Sequence, residues 1–181
     1  MSSDREFASS IVDFGMVVRD LERSVEFYTE AIGFIEVMGF SVPRELAGES
    51  GLTDYRSLEI SVLKLEADEA IPSTDLKLMQ VANVDTSSID RPFIHSHYGI
   101  NYMSLFVSDI GAALQRLDDA GVVPQGKGAV SMPFELAVGT LLRPQVMDIF
   151  DNDLGDMPEE VLMAVVKDPD GNFVELLGPR R

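Results

Sequence analysis

The feature that most constrains this chain is an internal repeat. Residues 11–33 (IVDFGMVVRDLERSVEFYTEAIG) and 100–121 (INYMSLFVSDIGAALQRLDDAG) each read as a strand, an aspartate, an amphipathic helix and a closing glycine. Matched pairs lie 89 positions apart: Asp20 and Asp109, Leu21 and Ile110, Val25 and Leu114, Tyr28 and Leu117, Ala31 and Ala120. A repeat of this length indicates two copies of one supersecondary unit. It directs the search for a site to the place where the copies meet.

Composition narrows the class of protein. The 181 residues, 45% apolar and 25% charged, are typical of one globular domain or two small modules. A net charge of −17 argues against nucleic acid or an anionic membrane as partner, since both require basic patches. The sequence contains no bilayer-length apolar run, and its first ten residues do not resemble a secretory signal. The absence of cysteine excludes disulfides and thiolate chemistry and favours the cytoplasm.

The first module is predicted over residues 11–82, after a disordered or loosely held tail at 1–10. Residues 11–18 alternate as a strand does, Asp20 stands where a helix N-cap belongs, and Gly33 is a plausible helix stop. Three further strands are predicted, at about 34–41, 56–66 and 75–82. The pattern is therefore β-α-β-β-β.

The second module is predicted over residues 100–179, after a polar connector at 83–99. Asp109 caps a helix that ends at Gly121, and a long insertion occupies about 132–158. Strands are predicted at 100–107 and near 124–131, followed by a hairpin whose turn is KDPDGN. The fold class is α+β: two tandem β-α-β-β-β modules forming a curved, half-barrel-like mixed sheet with the helices outside.

Alternation along the strands predicts which side chains face the cleft between modules. The residues packed on the helices are Val12, Phe14, Met16, Val18, Leu76 and Leu78 in the first module, and Met103, Leu105, Val107, Val174 and Leu176 in the second. The cleft side then carries Asp13, Gly15, Val17 and Lys77, and Tyr102, Ser104, Phe106 and Glu175. Asp13, Lys77, Tyr102 and Glu175 are predicted to converge.

These segments resemble the vicinal oxygen chelate superfamily, which includes glyoxalase I, bleomycin-resistance proteins, fosfomycin-resistance enzymes, methylmalonyl-CoA epimerase and extradiol dioxygenases. The resemblance rests on VVRDLERSVEFYTEAIGF (17–34), VSDIGAALQRLDDAGV (107–122) and KDPDGNFVELLGP (167–179), and it covers about residues 10–43 and 100–179. It implies the fold described above and a homodimer. It does not identify the reaction, because this fold hosts many.

The resemblance also implies where a metal would bind. Metal-using members place a His or Gln seven residues before each helix-capping Asp, and a Glu in the last strand of each module. Those four positions are Asp13, Lys77, Tyr102 and Glu175 here, and only Glu175 keeps the family's residue. A dication beside the Lys77 ammonium meets like-charge repulsion. No cofactor is therefore favoured, and a divalent ion held by Asp13 and Glu175 is the alternative.

Each polar residue has a second interpretation. Asp13, Lys77 and Glu175 also suit a structural ion-pair cluster, whereas catalysis would make Glu175 or Asp13 a general base, tuned by Lys77, with Tyr102 donating to a substrate oxygen. His95 and His97 are spaced as a metal pair but lie in the connector, where solvent-exposed histidines are the more usual case.

Three functions remain open from the sequence. The preferred one is a glyoxalase/bleomycin-resistance-type protein that binds, and in one version turns over, a small organic molecule in the inter-module cleft without a tightly bound metal. The second is a metal-dependent lyase, isomerase or dioxygenase. The third is a non-catalytic structural or regulatory dimer.

Overall fold

The computed structural model describes residues 13–65, 74–84, 92–93, 102–132 and 160–180. The chain divides into two compact units, Met1–Ser87 and Ser88–Arg181, and each is described by itself. The tail at 1–10, the insertion at 132–158 (except Met132), His95, His97 and most of the connector lie outside the described residues.

The first module contains a four-stranded mixed sheet in the order β1-β4-β3-β2. β1 and β4 run parallel, and the other neighbours are antiparallel. Its elements are β1 (Phe14–Val17), α1 (Leu21–Glu26) with a π-helical continuation (Phe27–Ile32), β2 (Phe34–Val42), α2 (Arg44–Glu49), β3 (Leu58–Leu65) and β4 (Leu76–Val81).

The second module repeats this connectivity, with the sheet order β5-β8-β7-β6 and a parallel β5–β8 pair. Its elements are β5 (Tyr102–Phe106), α3 (Ile110–Asp119), β6 (Val130–Ser131), β7 (Val161–Lys167) and β8 (Phe173–Pro179). The predicted α+β fold of two β-α-β-β-β modules is confirmed. The strand predicted near 124–131 is shorter than expected, since its first part forms a turn around two glycines with positive φ, Gly126 and Gly128.

Both helices begin at the predicted aspartates. The Asp20 carboxylate accepts a hydrogen bond from the Arg23 amide at 3.1 Å, and Asp109 accepts from Gly111 and Ala112 at 2.8 and 3.3 Å. These bonds satisfy amides that have no partner within the helix. The first helix ends at Gly33, whose φ of 105° favours glycine.

The predicted helix-facing residues that the structure describes are buried or half-buried with one exception, and Val12 lies outside the described residues. Leu76 and Leu78 are buried in the first module, as are Val174 and Leu176 in the second. Phe14 is the exception: it lies in register with buried Leu76 but remains 43% exposed. It stands at the first position of an edge strand, where the described part of this module supplies a strand neighbour on one side only.

The helix α2 was not predicted, and it packs on the sheet face opposite α1. A cluster of buried residues joins it to that face, with Met79 and Val81 packed against them: Val42, Ala47, Leu58, Ile60 and Val62. At six residues and with Gly48 inside, α2 is too short for a periodic signal. A Cβ at Gly48 would lie 2.4 Å from the Tyr55 ring, so glycine lets that ring pack directly on α2.

The predicted KDPDGN turn joins β7 and β8, and the buried Asp168 organises it. One carboxylate oxygen accepts from the amides of Asp170 and Asn172 at 3.0 and 2.7 Å. The other accepts from the Asn172 side chain at 2.8 Å. Gly171 has a φ of 85°, as such a turn requires. Within the described ranges, no helix has the length and apolarity to cross a bilayer.

Candidate functional site

Strand register defines the sheet face of the first module that bears the candidate site, named here the α2 face. Residues paired across neighbouring strands point to the same side of a sheet. Lys77 pairs with Gly15 on β1 and with Val62 on β3, and Val62 lies under α2. Lys77 therefore belongs to the face opposite α1, as the sequence predicted.

One end of the α2 face is charged. The Lys77 ammonium lies 2.7 Å from the Asp13 carboxylate, and both side chains are a little over one-third exposed, at 37% and 36%. The Asp75 amide donates to the other Asp13 oxygen at 3.3 Å, and the Lys64 ammonium lies 3.5 Å from the Asp75 carboxylate. Two lysines and two aspartates thus form a compact group, the charged row. Asp75 and Lys64 were not predicted as site residues.

The charged row acts on the ionisation of Asp13. The hydrogen bond from Lys77, followed by the backbone hydrogen bond from Asp75, lowers the pKa of Asp13 below its ordinary value, and partial desolvation opposes this. The Lys77 and Lys64 charges add smaller effects in the same direction. Asp13 therefore stays ionised at neutral pH and holds Lys77 in place.

The rest of the α2 face is apolar. Val17 pairs with Met79, and Met79 pairs with Ile60, which in turn pairs with Phe40. Val17 and Phe40 are exposed, whereas Ile60 is buried. The face is accordingly amphiphilic, with the charged row at one end and aliphatic and aromatic side chains beyond it.

The corresponding face of the second module, named the Glu175 face, carries a different set. Glu175 pairs with Ser104 on β5 and Val165 on β7, and the Ser104 hydroxyl donates to the Glu175 carboxylate. Tyr102 is half-exposed on the same face, opposite Phe173, and Phe106 lies opposite Leu177. The sequence placed Ser104 on this side of β5 but did not anticipate its bond to Glu175.

The two registers establish which positions are equivalent. Gly15 pairs with Lys77, and Ser104, which is 89 residues further along the chain than Gly15, pairs with Glu175. Lys77 therefore occupies in the first module the place that Glu175 occupies in the second. Asp13 and Lys77 are brought together, and Tyr102, Ser104, Phe106 and Glu175 share one face. That the two faces share one hollow stays a prediction from the sequence.

The residues present do not fit the divalent ion that the family resemblance implies. At the equivalent of the metal-binding glutamate of the first module stands an ammonium, and the nearest carboxylate is already bound to it at 2.7 Å. At a separation of 4 Å, each pair of like unit charges costs roughly 4 kcal/mol at the effective dielectric of a surface site. In the part of the chain that the structure describes, no three His, Cys, Asp or Glu side chains form a metal-holding group.

Solved structures of low sequence identity share the fold. A glyoxalase family protein from Bacillus cereus superposes with a TM-score of 0.67 at 16% identity, covering 100% of this chain and 99% of that one. The trypanothione-dependent glyoxalase I of Leishmania major gives 0.55 at 21% identity, covering 92% and 84%. A glyoxylase/bleomycin resistance protein/dioxygenase domain from Frankia sp. gives 0.56 at 18% identity, covering 96% and 93%.

A family profile, rather than an individual relative, identifies the family of this chain. No curated protein matches the chain. The sequence profile of one family matches residues 10–176, which is nearly the whole chain and includes both faces described above. The chain therefore belongs to the Glyoxalase/Bleomycin resistance protein/Dioxygenase superfamily.

Proposed function

We propose that this protein binds a small organic molecule on the α2 and Glu175 faces and works without a tightly bound metal ion. The observation that carries the proposal is the Lys77–Asp13 ion pair of 2.7 Å, at the position where the family resemblance implies a metal-binding carboxylate. A fixed ammonium can attract a ligand oxygen as a metal would, but as one positive charge rather than two.

The amphiphilic α2 face suits an organic ligand better than an inorganic one. A ligand body can cover the exposed side chains of Val17 and Phe40, and its polar group can contact Lys77 or Asp13. Burial of apolar area contributes about 25 cal/mol per Å², and the few polar groups fix orientation.

Acid–base turnover remains part of the proposal. The Glu175 carboxylate is the candidate general base, and the Tyr102 phenol is the candidate donor to a ligand oxygen. Ser104 donates to Glu175 and thereby fixes the orientation of that carboxylate. Sequestration would require the same binding groups without proton transfer.

A thermal-shift screen tests ligand binding. The compounds are aldehyde–thiol adducts, catechols, acyl-CoA esters and aromatic antibiotics, and a binder raises Tm by mass action. We expect Lys77→Met to abolish the shift produced by a binder, and Lys127→Met, in an exposed loop, to retain it. Equal shifts in both variants would contradict the role of Lys77.

Elemental analysis of protein purified without chelators tests the metal-free state. We expect substoichiometric Mn, Fe, Ni and Zn. A stoichiometric metal that is lost in Glu175→Ala would overturn the proposal in favour of the metal-dependent lyase, isomerase or dioxygenase. A chain with neither metal nor ligand would favour the structural or regulatory dimer.

A further inference from the structure

The charged row is electrically balanced. Lys77 has Asp13 as its carboxylate partner at 2.7 Å, and Lys64 has Asp75 at 3.5 Å. Two ammoniums and two carboxylates leave the row with no net formal charge. The other residues that the described strands place on the α2 face are uncharged. A ligand on these strands therefore meets paired charges rather than an excess of either sign.

Lys77 can bind a further acceptor. An ammonium has three N–H donors, and the hydrogen bond to Asp13 uses one of them. The Lys77 side chain is a little over one-third exposed, so a molecule in solution can reach it. Lys77 is therefore the donor that a ligand oxygen on this face would meet.

The neighbouring carboxylate decides which kind of oxygen binds best. A ligand carboxylate is attracted by Lys77 and repelled by Asp13, and because these groups lie 2.7 Å apart the two effects are of similar size. A ligand ammonium meets the reverse pair of effects. Since a charged group also loses more hydration than a neutral one, the cancellation leaves a net penalty for either charge. A carbonyl or amide oxygen accepts the same hydrogen bond without the repulsion.

An apolar floor adjoins Lys77. Gly15 lies directly across from Lys77 in the parallel β1–β4 pair and is exposed. A Cβ at Gly15 would lie 2.8 Å from the Met79 methyl carbon, so the Met79 side chain reaches over the Gly15 backbone. Exposed Val17 extends the floor along β1. Because methionine is unbranched and flexible, Met79 can shift to fit the body of a ligand whose oxygen binds Lys77.

We propose that the ligand binds Lys77 through an uncharged acceptor, a carbonyl or amide oxygen, and that its apolar body lies on Gly15, Val17 and Met79. This ligand class rests on the proposed function, because it concerns the same α2 face. It goes further by disfavouring carboxylates, phosphates and amines at Lys77. The preference for neutral molecules should change when either charge of the Lys77–Asp13 pair is removed.

Three probes that share one aromatic body test the charge preference: naphthamide, naphthoate and naphthylmethylamine, which are neutral, negative and positive at neutral pH. We expect calorimetric titration of the wild type to give a Kd for naphthamide about tenfold below that of either charged probe. A charged probe that binds the wild type as tightly as naphthamide would overturn the proposal.

Two variants connect binding with the ion pair. Asp13→Asn leaves Lys77 without its carboxylate, and we expect the affinity for naphthoate to rise about tenfold. Lys77→Met removes the donor, and we expect the affinity for naphthamide to fall about tenfold. Asp118→Asn and Lys127→Met make the same changes at exposed positions of the second module and should leave all three affinities unchanged.

The possible outcomes distinguish the ligand class from the proposed function. If the probes bind and respond to both variants but the wild type does not prefer naphthamide, the α2 face binds organic molecules and the ligand class is wrong. If no probe binds the wild type or Asp13→Asn, or if binding is unchanged in both variants, the α2 face is not the binding site and both are wrong.

A substitution at Gly15 tests the apolar floor. Gly15→Leu fills the space above the floor and displaces only the flexible end of Met79, and we expect the affinity for naphthamide to fall about tenfold. The matched control is Gly39→Leu, at an exposed strand glycine on the other sheet face, where the nearest atoms would lie 3.8 Å from a Cβ. Circular dichroism of both variants checks folding. Equal affinity in the wild type and Gly15→Leu would overturn the placement of the ligand body.

Discussion

The two modules have the same connectivity but opposite charges at equivalent positions. Lys77 in the first module and Glu175 in the second occupy the same place in the strand ladder, opposite Gly15 and Ser104. The Lys77 ammonium forms an ion pair with the Asp13 carboxylate, and the Glu175 carboxylate accepts a hydrogen bond from the Ser104 hydroxyl. Each charge has a local partner within its own module. The comparison teaches that the repeat preserves the scaffold while the chemistry of one face is free to change.

The largest expected effect concerns the β7–β8 turn, whose DPDGN sequence has no counterpart in the first module. The sequence joining β3 to β4 has no DPDGN, whereas Asp168 accepts three hydrogen bonds in the β7–β8 turn. Asp168→Ala removes three hydrogen bonds from half-buried donors, and we expect a loss of about 3 kcal/mol in the free energy of unfolding, measured in urea. Asp118→Ala, on the exposed surface of α3, is the control and should cost under about 0.5 kcal/mol.

The second prediction makes the two modules alike. Lys77→Glu restores a carboxylate at the position equivalent to Glu175 and removes the ammonium from Asp13. We expect divalent-ion affinity to rise at least tenfold, or about 1.4 kcal/mol, by calorimetric titration with Mn²⁺. Lys127→Glu makes the same charge change in an exposed loop and should leave affinity unchanged.

A double variant sharpens the same comparison. If Glu175→Ala in the Lys77→Glu background removes the new affinity, the two equivalent positions act on one ion. If the affinity persists, Asp13 and Asp75 of the first module suffice. If Lys77→Glu gains no affinity, repulsion by Lys77 is not what opposes metal binding.

The third prediction compares the helix caps. Asp109 accepts from two backbone amides, whereas a single bond, from the Arg23 amide, is resolved for Asp20. We expect Asp109→Ala to cost about 1 kcal/mol of stability and Asp20→Ala somewhat less. Urea unfolding of both variants measures which substitution costs more stability. Replacement of either aspartate by Asn should preserve most of the stability. A larger cost at Asp20 would contradict the comparison.

The smallest expected effect is the pH dependence of the charged row. The folded pKa of Asp13 lies below its ordinary value of 3.8, so the unfolded chain binds its proton more readily. The ion pair with Lys77 therefore contributes stability above pH 3.8, and that contribution is lost as the pH falls through the folded pKa. Unfolding measured between pH 3 and 7 should show wild type and Asp13→Asn converging at the acid end. A constant difference would exclude Asp13 as the titrating group.

Local signals predicted much of the scaffold. A capping aspartate, an apolar stripe and a terminal glycine all lie within residues 20–33, and Asp20, Asp109 and Gly33 were predicted correctly. Strand alternation placed Lys77 and Glu175 on the correct faces. The sequence missed α2, because six residues containing a glycine lack a period. It also missed Asp75 and Lys64, whose relation to Asp13 depends on register.

The sequence by itself determined the duplicated β-α-β-β-β order and the residue types at positions 13, 77, 102 and 175, since repeat spacing and alternation are local properties. The sequence predicted that Asp13 and Lys77 converge with Tyr102 and Glu175, but only the tertiary structure decided that Asp13 pairs with Lys77 and that Asp75 and Lys64 join them. Asp13 and Lys77 are 64 residues apart, and the alignment of β1 with β4 brings them to 2.7 Å. That alignment follows from core packing on both sides of the sheet, which no local pattern contains.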